Sequence, residues 1–205
     1  MTIKMQDMIA VNGFFENGKV ELSEPVVGIS HKSKVIITFL DAEIVFGEDL
    51  FWNLIDLLDW NSPNDSAIIE PLIQKLSSYP KESIVQFKEI LSKKLYDLDT
   101  KEHAKHIGDH SFQENSSRFS PDIFLFTRAL VVAKGRDFYT RVLNNPSLMP
   151  KNSDFEAILY AANEAYALKT GEELNYVPKF IPETFFNQEG WGNEYDPLKA
   201  ILGDK

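Results

Sequence analysis

Hydrophobic spacing along the chain changes period once, between residues 41 and 47, and that change limits the folds open to it. Before it, apolar residues come in short β-branched and aromatic runs. "DMIAVNGFF" and "KVEL" flank "ENGK", and "KVIITFL" follows. Asn17–Gly18 is a two-residue hairpin signal, because both residue types tolerate positive φ. "KVIITFL" has the composition of a buried third strand. Three short strands make a marginal sheet, so this module is expected to lean on another copy of itself or on the rest of the chain. After residue 47 the spacing is helical. "EDLFWNLIDLLDW" puts Leu50, Leu54, Leu57 and Leu58 on one face, and "NSPND" ends it.

Further helix signals follow in order. One helix is expected from Ser66, with Pro71 early enough to sit in or near the first turn. Pro80 opens another, with Ile84, Phe87, Leu91, Leu95 and Leu98 as its apolar stripe. Ser120–Pro121–Asp122 combines a cap, a proline at the first helical position and an acid at the positive end of the dipole. That helix runs through "IFLFTRALVVAK", meets Gly135 and resumes or bends into "RDFYTRVLNN". Ser153 and Glu156 have capping-box spacing ahead of "AILYAANEAYALKT", which stops at Gly171. The tail from Asn175 is rich in Pro, Gly and aromatics and is expected to lie on the helices as an irregular strap. The fold class is therefore α+β: a small antiparallel β module over 1–43, then a mainly helical domain over 48–205 with five or six helices and an aromatic-rich C-terminal strap.

Composition removes several chemistries. The chain has no Cys, which excludes disulfides, thiolate metal sites and a cysteine nucleophile. Thirty-one acids against twenty-one bases give a net charge of −10, which argues against a nucleic-acid or anionic-membrane partner and suits a basic one. Neither a signal-peptide pattern nor an apolar run long enough to span a bilayer is present, so the expected location is the cytoplasm. There is no Gly-x-Ser-x-Gly elbow, no Walker phosphate loop and no Gly-x-Gly-x-x-Gly after a strand.

Two polar sets remain as candidates. Three of the four histidines fall in "DLDTKEHAKHIGDH". If the helix from Pro80 continues this far, Asp99, His103, His106 and His110 lie within about 60° of one another on it. Imidazoles and a carboxylate at that spacing can share a divalent transition metal, although a solvated helix edge needs the same pattern. The second set is Asp99, Asp122, Arg128 and Arg136. The two arginines, eight apart, share a face if Gly135 leaves the helix intact. They would then hold an anion in two-pronged fashion, or pair with the two acids and lock helices together. Phe185, Phe186, Trp191 and Tyr195 of the tail would line a groove or cover the helical core.

Residues 120–148, "SPDIFLFTRALVVAKGRDFYTRVLNNPSL", resemble a bacterial family catalogued as domain of unknown function 4240. Asp122, Phe124, Arg128, Gly135, Arg136 and Pro146 carry the likeness. "FWNLID", "LYDLDTKEHA" through Tyr96 and Asp99, "AYALKTGEEL" and "EGWGNEYD" resemble it as well, so the likeness extends over roughly residues 50–200. It implies Asp99, Asp122, Arg128 and Arg136 as a shared polar set and brings no activity with it. Separately, "NGFFENGKVELSEP…KVIITFLD" resembles the short β segments of some bacterial antitoxin-like proteins. That resemblance implies a homodimer through the β module. Four Lys against six acids in residues 1–45 speak against the DNA binding of some such segments.

The leading expectation is a non-catalytic protein-interaction module of antitoxin or immunity type, with no cofactor and a basic partner protein. The alternatives are a metal-dependent, hydrolase-like enzyme built on the 99–110 cluster and a small-anion sensor built on Arg128 and Arg136.

Overall fold

The computed structural model describes residues 11–16, 18–28, 35, 37, 46–114 and 117–192. The chain divides into two compact units, Met1–Glu43 and Ile44–Lys205. In the first, β1 (Gly13–Glu16) pairs antiparallel with β2 (Lys19–Leu22), in the register Phe15↔Val20 and Glu16↔Lys19. Gly18, at φ +78°, takes the left-handed conformation a tight hairpin turn requires. Apart from Val35 and Ile37, the expected strand over 34–40 lies outside the described residues.

Among the described residues, the second unit has six helices of eight residues or more and two single-turn ones. α1 spans Glu48–Ile55, α2 Asp65–Ser77, α3 Lys81–Asp97, α4 Lys101–Ala104, α5 Pro121–Ala133, α6 Arg136–Asn144, α7 Ala161–Thr170 and α8 Gln188–Trp191. α5 is the central element. Every residue from Thr127 to Ala133 is buried, with α3 on one side and α6 following it. α7 packs on α2 and α3. The expected stripe of α3, Ile84 through Leu98, is buried throughout.

Several local expectations shift. α1 stops at Ile55 because the chain tightens into i→i+3 turns, Leu57 N–H to Leu54 O and Leu58 N–H to Ile55 O. That change of register turns Leu57 outward, while Phe51, Trp52 and Ile55 join Leu54 and Leu58 in the core. α2 starts one residue early, where the Asn64 side chain accepts the Ala67 N–H. Pro71 then falls in the second turn, with its ring exposed. The Ser153–Glu156 box does not form. Ser153 Oγ turns back to the Lys151 carbonyl, and a 3₁₀ turn at Ala157–Tyr160 precedes α7. Ser120 caps α5 through the Ile123 N–H, with Pro121 at the first helical position, as its sequence demands.

Candidate functional site

The helix carrying the histidines ends sooner than their spacing requires. α3 closes at Asp97, and Thr100 starts a new helix by accepting the His103 N–H on its hydroxyl oxygen. Asp99 therefore lies in the joint between two helices, and the four residues no longer share one face. His103 is buried, at 4% exposure. Its Nε2 faces the Val142 carbonyl at 3.2 Å, so that nitrogen carries the proton, and Nδ1 accepts the Thr100 hydroxyl at 2.7 Å. Both ring nitrogens are thus engaged, and no lone pair is left for a metal. Burial pushes the His103 pKa below its ordinary value, which favours this neutral form. His106 is half-buried, and His110 lies at the surface with Nδ1 3.2 Å from the Arg118 carbonyl. Among the described residues, no three His, Asp or Glu stand close enough together to hold an ion.

Asp99 instead anchors the strap. Fully buried, it accepts the Trp191 indole N–H at 2.7 Å and the Phe185 backbone N–H at 3.2 Å on Oδ1, and the Asn187 N–H at 3.0 Å on Oδ2. Arg128 lies beside it, also at 0% exposure, with Nη2 3.9 Å from Asp99 Oδ1. Its direct hydrogen bonds go elsewhere: Nη1 to the carbonyls of Leu95 and Pro182, and Nη2 to the Thr184 hydroxyl. The Thr184 hydroxyl in turn donates a hydrogen bond to the Pro121 carbonyl. The guanidinium stacks over Phe124 at 4.6 Å. Burial lowers the Arg128 pKa to about 10, against the opposing pull of Asp99 and Glu183, so the group stays charged at neutral pH. Asn187 closes the arrangement through the Tyr96 carbonyl and the Gly190 N–H. A Cβ on Gly190 would lie 2.8 Å from Thr100 Cγ2 and 2.9 Å from the Asp99 carbonyl oxygen, so the strap approaches this closely only as glycine.

The other half of the Asp–Arg set disperses. Gly135, at φ +91°, separates α5 from α6 and breaks the face that Arg128 and Arg136 would share. Arg136 is exposed and pairs with Asp49 of α1 at 2.6 Å. Asp122 is exposed in the first turn of α5. The two arginines therefore do not form a common anion cradle. Phe185 and Trp191 are core residues packed against each other at 4.6 Å, Phe186 is exposed, and Tyr195 lies outside the described residues.

Sequence reasoning missed a surface groove of about 440 Å³ at the corner where α6 meets α1. α1 and the Asp56 that caps its C-terminus contribute Asp49, Trp52, Asn53 and Asp56, and Lys134 to Asp137 form the facing wall. The signal was present as a spacing: Asp49, Asn53 and Asp56 follow i, i+4, i+7 on the solvent side of α1.

No curated protein and no solved structure matches the chain. The family model described as "Protein of unknown function (DUF4240)" matches residues 47–168, from the start of α1 into the last turn of α7, and leaves the strap outside the match. That is more than half of the chain, which belongs to the DUF4240 family.

Proposed function

We propose that this protein is a non-catalytic interaction module, of antitoxin or immunity type, that takes up a basic partner protein. One observation carries the reading: the buried Asp99, Arg128 and His103 are spent on internal bonds, and acids outnumber bases in the chain as a whole. Asp99, Arg128 and His103 hold the strap and α4 in place. The whole chain carries an excess of ten acids over bases. Such a charge balance speeds the encounter with a cationic partner, and salt, which at about 0.1 M screens exposed charges more than about 10 Å apart, removes that advantage.

The test is in-cell cross-linking of the full chain, identification of the captured protein, and measurement of its association rate at low and high ionic strength. The reading expects a basic partner, a rate that falls as salt rises, and suppression of the partner's activity on binding. A rate indifferent to salt, or a captured partner that is itself acidic, overturns it.

A further inference from the structure

We infer that the groove between α1 and α6 is the docking place of that partner. A lysine or arginine of the partner seats between Asp56 and Asp137, and an apolar neighbour of that residue lies against Leu57 and Trp60. This rests on the interaction reading above and gives it an address.

Charge is the first argument. Both cations of the groove are already held within the chain: Arg136 by Asp49 at 2.6 Å, and Lys134 over the Trp60 ring at 3.9 Å. Among the described residues, Asp56 and Asp137 have no ion-pair partner. An incoming anion would have to displace Asp49 from Arg136 and would meet two more carboxylates. An incoming guanidinium or ammonium finds two unspent carboxylates, Asp56 and Asp137, beside cations that Asp49 and the Trp60 ring already engage.

Apolar exposure is the second and independent argument. Just past the end of α1, Leu57 and Trp60 remain 39% and 40% exposed, and Trp60 meets the groove through Lys134. Trp60 is braced by Phe155 at 5.1 Å on top of its contact with Lys134. A rigid, half-exposed tryptophan beside charged groups is the usual anatomy of an anchor point in a protein interface. Gly135 is the third argument. Its Cβ position lies 3.6 Å from Asp56 Oδ1, so any side chain there would rest on that carboxylate and screen it from the α6 side. Glycine leaves the acceptor open.

The experiment is a nitrogen-15 NMR titration of the full chain with the blocked tripeptide acetyl-Leu-Arg-Leu-amide, beside the same peptide carrying citrulline or glutamate at the centre. The arginine peptide is expected to shift the Trp60 indole, the Asn53 side-chain amide and the amides of Gly135 and Asp137, and the other two are not. Asp56→Asn/Asp137→Asn should weaken the arginine peptide about tenfold or more, and Glu70→Gln/Glu82→Gln, which removes the same charge elsewhere, should not. Both pairs are near-isosteric and exposed, and preserved spectral dispersion verifies their fold. Shifts scattered over the acidic surface, equal response to the citrulline peptide, or equal weakening by the two variants overturns the groove. So does a cross-linked basic partner that binds Asp56→Asn/Asp137→Asn undiminished, and in that case the interaction reading survives without this site.

Discussion

Replacing Asp99 by Asn keeps its shape and removes its charge, which isolates what the carboxylate does for the strap. The amide oxygen best takes the Oδ1 place, where it keeps the Trp191 and Phe185 donors. The amide nitrogen then confronts the Asn187 N–H, donor against donor, and a buried N–H left unpaired costs about 1–3 kcal/mol. The two retained bonds lose their ionic component. Arg128, fully buried, loses the carboxylate 3.9 Å away. Removing one partner of a buried pair costs about 3–5 kcal/mol, and the low end applies because Arg128 keeps three other acceptors. The expected total is about 4–6 kcal/mol, a large part of a typical domain's 5–15 kcal/mol. Urea denaturation followed by tryptophan fluorescence measures it, with Trp191 reporting directly from the site. Arg128→Met should cost at least about 1 kcal/mol less in the Asp99→Asn background than alone. A loss under about 1 kcal/mol for Asp99→Asn, or additivity within about 0.5 kcal/mol in the cycle, would refute the account of Asp99 as the anchor.

Other changes have equally definite outcomes. His103 has its pKa lowered by burial, so below its ordinary value near 6.5 the unfolded chain binds a proton that the folded chain does not. Its contribution to stability is constant above that pH and is lost as pH falls from about 6.5 toward the lower folded pKa. His103→Gln should flatten that slope in urea midpoints measured from pH 7 to pH 5, and an unchanged slope contradicts the assignment. Gly190→Ala should cost about 1–3 kcal/mol by forcing the strap off Asp99 and Thr100, read as a drop in melting temperature. Arg136→Ala breaks an exposed pair and should cost less than about 1 kcal/mol, in contrast to Arg128→Met, when both are compared by thermal denaturation. Zinc added to tag-free protein should bind no more weakly to His103→Gln than to the wild type, a comparison that calorimetry makes directly.

What could be read in the sequence was local, and what could not was either a helix boundary or a long-range bond. The tight turn at Gly18 and the Ser120 cap act within a few residues, and both appear where their chemistry puts them. The α3 stripe is equally legible, because Ile84 to Leu98 needs only helical period to be seen. The histidine reading failed at Thr100. A threonine three residues before His103 is a cap signal, and giving it weight would have ended the helix before the metal spacing began. Arg128 sits within "FLFTRALVVA", an apolar context that already implied burial, yet its acceptors come from Leu95, Pro182 and Thr184, between 33 and 56 residues away. The three donors on Asp99 arrive from 86 to 92 residues downstream, and no periodicity encodes such contacts.

The buried anchor and the proposed docking groove stand on different supports, and that separation is what lets each be tested without the other. Asp99, Arg128 and the strap hold together the ends of α3 and α5 and the segment around α8. The groove depends on how α1 meets α6. Trp52 packs on Tyr139 at 5.4 Å, and Lys94 bridges the same two rings while pairing with Glu48. Arg136 and Asp49 add a solvent-exposed tie across the mouth. Weakening the strap should therefore lower global stability and leave the affinity of a groove ligand for the folded chain unchanged, whereas Trp52→Leu should disturb both. A strap variant that stays folded at low temperature yet loses the arginine-peptide response would mean that the two regions are coupled, through α5, which leads by way of Gly135 into the groove wall, or through α3, whose Leu95 meets Arg128 and whose Lys94 meets Trp52.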